Sequence, residues 1–185
     1  MVLRNVKGNL VLEGKDVKVL VATAKGKDAG GKVEPDIILS NRDDLQPTEG
    51  QSLIDSAGEY EIKDVFVYAL STNGDKLVDL FSIDLENIKI VYVDEQTRQI
   101  GKKVLDQVGI ANIVVIDMEN SSLEEKVNVI RVLDPEYLIP LGSQEVIKKL
   151  AKQLELEIPD TEKKFKIRSS ELSEEDYGLK LVLLQ

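Results

Sequence analysis

The stretch DIILSNRDDLQPTEGQSLIDSAGEYEIKDVFV, residues 36–67, sets the reading of this chain. Asp36–Leu39 follows a proline and is apolar, which predicts a buried strand. Ser40–Glu49 is a polar loop, and Gln51–Asp55 reads as a helical turn. Gly58 opens a turn into a strand, Glu59–Ile62, which Lys63-Asp64 joins to a second, Val65–Leu70. Within Glu59–Ile62, Tyr60 and Ile62 share one face and Glu59 and Glu61 the other, so these residues read as structural. A strand that runs into a polar loop is where α/β folds commonly hold ligands. Yet neither this loop nor the rest of the chain contains a histidine.

On the N-terminal side, Val2–Val6, Leu10–Glu13 and Val17–Ala22 are short β-prone runs, joined by the turns Gly8-Asn9 and Gly14-Lys15-Asp16. Lys25–Lys32 (KGKDAGGK) holds three glycines but lacks the spacing of a phosphate-binding loop, so it reads as a surface loop. On the C-terminal side, Leu77–Asp84 and Ile88–Val93 form a hairpin about Glu86-Asn87. Strands and helices then alternate. Thr97 is placed to cap a helix with Ile100, Val104, Leu105 and Val108 on one face. Ile113–Asp117 is a buried strand. Ser121 or Ser122 opens a helix carrying Leu123, Val127, Ile130 and Leu133, which Pro135 stops. Tyr137–Pro140 is a strand, and Ser143 caps a third helix with Val146, Ile147, Leu150, Ala151 and Leu154 inward. Phe165–Arg168 and Leu179–Leu184 close the sheets, with Ser169–Asp176 a solvated loop between them. Two packed sheets with outer helices, in one domain spanning residues 1–185, accommodate this order.

Composition narrows the function classes. The net charge is −10, from 34 acidic and 24 basic residues, and no Lys/Arg cluster is evident, so nucleic acid is not an expected partner. The absence of cysteine removes disulfides, thiolate metal sites and thiol nucleophiles together. The first residues lack an apolar core behind a basic start, and no apolar run is long enough to span a bilayer. A cytoplasmic protein without a membrane partner is expected.

Several stretches resemble one family. LVLEGKDVKVLVAT (Leu10–Thr23), GEYEIKDVFV (Gly58–Val67), VYVDE (Val91–Glu95) and PEYLIPLGS (Pro135–Ser143) resemble, in order, segments of the small zinc-dependent hydrolases of the metallo-β-lactamase superfamily. The resemblance implies a four-layer αββα sandwich with its site at the sheet edges. It also implies an H-x-H-x-D-H metal-binding loop after the strand that here ends in IILS. On that pattern Asn41 stands at the first His, Asp43 at the second, Leu45 at the Asp and Gln46 at the last His. Asp94 falls at the bridging Asp, and Gly142 at the final His. Val6-Lys7-Gly8-Asn9 occupies a further segment that carries a His in the family. Asn, Leu and Gly cannot replace imidazole at zinc. Asn41, Asp43, Asp44, Gln46, Asp94 and Gly142 are therefore candidates for a vestigial pocket, roomier for want of imidazoles, and no metal or other cofactor is expected.

The leading expectation is a catalytically inactive member of this fold acting as a binding, scaffolding or regulatory subunit, with a protein partner or self-association. One alternative is a divergent hydrolase. It would use Mg²⁺ or Mn²⁺ held by Asp43, Asp44, Glu49 and Asp94, or no metal, with Asp94 beside Glu95 as the acid/base candidate. Another is a small-molecule sensor using the vacated pocket. Ser40 reads as capping the loop rather than as a nucleophile.

Overall fold

A computed structural model describes residues 1–23, 26, 33–42, 45–74, 77–173 and 178–185. The loop expected over Lys25–Lys32 lies outside the described residues apart from Gly26, as do Asp43 and Asp44. The chain opens with β1 (Val2–Val6), β2 (Asn9–Glu13) and β3 (Lys18–Ala22), followed by β4 (Ile37–Ser40) and β5 (Ser52–Ile54). Then come β6 (Gly58–Ile62), β7 (Val65–Leu70), β8 (Leu80–Leu85) and β9 (Ile88–Val93). The alternating part is α1 (Lys102–Val108), β10 (Ile113–Asp117), α2 (Leu123–Leu133), β11 (Tyr137–Leu141) and α3 (Gln144–Gln153). Short strands β12 (Thr161–Glu162), β13 (Phe165–Lys166), β14 (Lys180–Leu181) and β15 (Leu183–Leu184) complete it.

Two sheets result. The first has the order β13-β1-β2-β3-β4-β5, antiparallel through β3 and parallel from β3 to β5. The second has the order β14-β11-β10-β9-β8-β7-β6, a meander from β6 to β9 and parallel from β9 to β14. Three two-residue turns serve the hairpins. Lys7-Gly8, Lys63-Asp64 and Glu86-Asn87 all have positive φ at both positions, the geometry that matches strand twist.

Period-2 alternation sorts each strand between two environments. Leu10, Leu12, Val19, Val21, Ile37 and Leu39 of the first sheet face Ile83, Ile88, Ile90, Ile113, Val115 and Ile139 of the second across one apolar core. The other face of the second sheet, with Val91, Val93, Val114, Ile116 and Leu138, is covered by apolar stripes of α1, α2 and α3. The outer face of the first sheet carries Val11, Leu20, Ile38 and Leu53, packed with Val33 and Leu45. The sandwich is thus mixed α+β, with its helix layer on the second sheet among the described residues. No helix among them is long and apolar enough to cross a membrane.

Two expectations need correction. Residues 52–54 form a strand rather than a helical turn: Ile37 pairs with Ser52 and Leu39 with Ile54, and sheet pairing outweighs local preference. Thr97 does not cap α1. Its hydroxyl donates to the Asp79 carbonyl (2.7 Å), it is buried, and the helix starts after Gly101. Ser143 does cap α3, accepting from the Val146 amide.

Ile90 is fully buried between the sheets, so Ile90→Ala should lower unfolding free energy by about 2–5 kcal/mol. Glu59→Ala, on the exposed edge strand β6, should change it by under about 0.5 kcal/mol. Urea unfolding of both variants checks the contrast.

Candidate functional site

The parallel pair β9–β10 sets the geometry. Val93 is in register with Ile116, so the next residue on each strand is an aspartate, Asp94 beside Asp117. Both continue the inward-facing rows, Asp94 after Tyr92 and Asp117 after Val115. Both are 3% exposed. Each bends the chain in the same way: Asp94 Oδ1 accepts from the Gln96 amide and Asp117 Oδ1 from the Glu119 amide, both at 3.0 Å. The two turns are tied together where Asn120 Nδ2 donates to Glu95 Oε2 (3.0 Å).

Beneath the turns lies Lys126 of α2, fully buried. Its Nζ donates to the carbonyl of Asp94 (2.5 Å) and to that of Thr97 (3.2 Å). One strand position inward, the buried Tyr92 hydroxyl has no hydrogen-bond partner among the described residues. Burial, with the carboxylates of Asp94, Asp117 and Glu95, raises its pKa well above the usual value.

Burial dominates the electrostatics of the cluster. Burial pushes Asp117 up to about 6, with Asp94 and Glu95 adding to the rise. Burial also raises Asp94, against the pull of the Gln96 amide. Lys126 is pushed down to about 8 by burial, although Asp94 and Asp117 favour its charge.

A cleft of about 210 Å³ opens between the sheets at this edge. Asn5, Gly8 and Thr23 line it from the first sheet, and Asp117, Glu119 and Gly142 from the second. Thr23 is buried and rigid: its hydroxyl donates to the Gly8 carbonyl (2.8 Å) and its amide to Asn9 Oδ1 (3.2 Å). Pro140, Gly142, Ile147 and Leu184 are shared with an adjoining hollow of about 490 Å³.

The residues singled out in the sequence are only partly gathered here. Asp94 and Gly142 reach the same strand-end edge, Asp94 buried in its turn and Gly142 exposed in the cleft wall. Asn41 is half-buried after β4, and Gln46 and Glu49 are exposed. Asp43 and Asp44 lie outside the described residues. Ser40 Oγ accepts from the Arg42 amide (2.9 Å), the loop-capping role expected of it. Leu45 packs on the outer cluster of the first sheet. Gly142 lines both hollows, and on its Met118 side it is closely packed: a Cβ there would stand 3.1 Å from Met118 Cβ. Arg42 also crosses to the end of β3, its Nη1 donating to the Gly26 carbonyl (2.5 Å) and to the Thr23 carbonyl (3.4 Å).

Sequence reading missed Asp117, Lys126 and Tyr92. Two signals were available. Asp117 ends its strand as Asp94 does, two residues before an amide that it caps. Lys126 sits three residues after Leu123 and four before Ile130, on the apolar stripe of its helix.

Solved structures with the same architecture were found by comparison. A protein from Thermotoga maritima assigned to the Zn-dependent hydrolases of the metallo-β-lactamase superfamily matches with TM-score 0.74 and 13% identity, covering 99% of this chain and 100% of its own. A metal-dependent hydrolase from Parabacteroides distasonis matches with TM-score 0.63 and 12% identity, covering 98% and 92%. A metallo hydrolase from Ignicoccus hospitalis matches with TM-score 0.60 and 10% identity, covering 91% and 100%. No protein-family model matches the sequence, and no curated protein does. The chain has the metallo-β-lactamase fold.

The donor set does not fit the metal that this fold implies. Zinc sites of hydrolases are built on imidazole, thiolate and carboxylate, and the chain has no His and no Cys. Among the described residues no group of three or more His, Cys, Asp or Glu is arranged to hold an ion.

Two outcomes test the cluster. Because the folded pKa of Asp117 lies near 6, above its unfolded value, the folded state binds the extra proton between about pH 4 and 6, and Asp117 costs stability as pH rises through that window. Asp117→Asn keeps the acceptor for the Glu119 amide. It should therefore be more stable than the parent at pH 7, by about 3 kcal/mol at most, and equal to it near pH 3.5. Lys126→Met should cost about 3 kcal/mol or more at pH 7, since it takes the buried ammonium away from Asp94 and Asp117 and its donor away from the Thr97 carbonyl, while the Asp94 carbonyl keeps the Thr97 amide. Denaturant unfolding across pH measures both.

Proposed function

We propose that this chain is a catalytically inactive metallo-β-lactamase-fold protein, working without a bound metal as a binding, scaffolding or regulatory subunit. One observation carries this reading. Asp94, the mapped ligand position that keeps a carboxylate among the described residues, is folded away: it is 3% exposed, one oxygen holds the Gln96 amide, and its carbonyl holds the Lys126 ammonium. One of the two carboxylate oxygens of Asp94 is thus committed to its turn before any cation could use it. The composition supports the same reading, since it supplies no imidazole to complete a site or to act as base.

A divergent hydrolase with oxygen-ligated Mg²⁺ or Mn²⁺ is the competing reading, favoured by the adjacency of Asp94 and Asp117. Elemental analysis of protein purified without chelator separates the two. Substoichiometric zinc, manganese and magnesium, with a melting temperature unmoved by Mn²⁺, Mg²⁺ or EDTA, is the expected result. A stoichiometric ion whose removal lowers the melting temperature, with the shift lost in Asp94→Ala, would establish the hydrolase reading instead.

A further inference from the structure

One sheet edge of the sandwich is built unlike the others. The first sheet ends in β13 and β5, of two and three residues, and the second ends on one side at β14, of two. Short edge strands limit pairing with other chains. The remaining edge, β6, runs over five residues and pairs with β7 without a break from Gly58–Ala69 to Ile62–Val65. It carries neither a proline nor a bulge, the usual guards of such an edge.

The turn fixes which backbone groups face outward. Lys63-Asp64, with positive φ at both positions, is closed by a hydrogen-bonded pair, Ile62 with Val65. Bonded pairs alternate along an antiparallel ladder, so the bonds to β7 continue through Tyr60 and Gly58. The amides and carbonyls of Glu59 and Glu61 therefore point out of the edge, and no described strand pairs with them there.

The side chains at this edge restrict what pairs with it. Glu59 and Glu61 are exposed on the outer face of the sheet, in register with Tyr68 and Phe66 of β7. Phe66 is 49% exposed, so the helix layer stops short of it, and Asp84 of β8 continues its row. Among the described residues, none of Glu59, Glu61 and Asp84 is in an ion pair. The nearby lysines do not neutralise them. Lys63 pairs with Asp36, and Lys89 donates to the Val108 carbonyl (3.0 Å). Lys15 shares the hollow beside Phe66 with Asp16, Asp64, Asp84 and Glu86.

A second copy of the chain is a poor occupant. In a full antiparallel overlap of two β6 strands, Glu59 of each stands opposite Glu61 of the other, and like charges directly opposite repel. A strand with Lys or Arg at alternate positions instead sets a cation opposite each glutamate. The half-buried Tyr60 and Ile62 on the inner face suit apolar residues between those cations.

We infer that β6 is a docking edge for an extended basic segment of a partner protein, which adds an eighth strand to this seven-stranded sheet. Its backbone bonds to Glu59 and Glu61, and its cationic side chains lie over these glutamates and Phe66. The surface contains neither Asp94 nor Asp117, so the inference goes beyond the metal-free reading and does not depend on it.

The probe is an acetylated and amidated peptide alternating Lys and Val over the length of β6. It is titrated into the full chain at pH 7 and low salt and followed by amide NMR. Saturable shifts at Glu59, Glu61 and Phe66 are expected. Amide exchange at Glu59 and Glu61 should slow by about tenfold or more as these groups enter a ladder. The same peptide N-methylated along its backbone keeps its charge but cannot donate, and should give no such protection. A peptide alternating Glu and Val should leave the amides unmoved. Replacing both glutamates, Glu59→Lys with Glu61→Lys, should reverse the preference: the Glu–Val peptide then binds, and the Lys–Val peptide weakens by about tenfold or more. Equal binding of the N-methylated peptide, an unchanged preference in the doubly substituted chain, or no saturable shift at β6 would overturn the inference. Broadening of the Glu59 and Glu61 amides with protein concentration alone would overturn it too, by identifying a second copy as the occupant.

Discussion

Face-to-face packing of the two sheets is the constraint on which the rest of this molecule depends. Each strand commits every second side chain to the shared core, and hydrophobic burial holds the faces together at about 25 cal/mol per Å² of apolar surface. The rows end where the strands end. The next inward positions are Asn5 after Leu3, Thr23 after Val21, Asn41 after Leu39, Asp94 after Tyr92 and Asp117 after Val115. Five apolar rows thus give way to polar residues at one edge. Buried polar groups are costly without partners, and the structure supplies them to Asp94 and Asp117 from amides of their own turns and to Thr23 from the Gly8 carbonyl of the β1–β2 turn. The cleft follows from this change of chemistry at the strand ends.

Lys126 is the most costly of these arrangements. A buried ammonium is stable only if its surroundings offset the loss of water. Here they do so twice, through two carbonyl oxygens at hydrogen-bond distance and two carboxylates close enough to favour the charge. Burial still dominates, as the lowered pKa of Lys126 and the raised pKa of Asp117 both record. The similar solved structures are described as zinc- or metal-dependent hydrolases. In this chain Lys126 of α2 places a buried positive charge behind Asp94 and Asp117.

Much of the fold was legible in the sequence because hydrophobic period and turn chemistry are local. The strands of both meanders, the hairpin turns at Lys63-Asp64 and Glu86-Asn87, the Ser143 cap and the helix stopped before Pro135 all follow from neighbours along the chain. The failures were non-local. Ser52–Ile54 becomes a strand only because β4 offers its edge, and Thr97 abandons a helix cap for a carbonyl eighteen residues away. The site was less legible still. Asp94 could be placed from its strand, but its neighbour Asp117 required the parallel register of β9 and β10. Lys126 looked like one more charge on an amphipathic helix until that helix was seated on the second sheet.

The two ends of the sandwich are fastened differently. At the end opposite the cleft, carboxylates of one sheet reach donors of the other. Glu86, in the β8–β9 turn, accepts from the Lys15 amide (2.6 Å) in the β2–β3 turn, and Asp36, at the start of β4, takes Lys63 from the β6–β7 turn. The Lys63 contact holds the Asp36 carboxyl below its usual pKa, so it strengthens that end at neutral pH and loosens only in acid. At the cleft end Asp94 and Asp117 are raised rather than lowered, and their side-chain hydrogen bonds stay within their own turns. Leu45, which by resemblance stands at a ligand position, instead covers the outside of the first sheet. Polar clamps therefore join the sheets at one end. At the other the chain has put its loop residues into packing and turns, and has left the facing polar rows separated by a cleft.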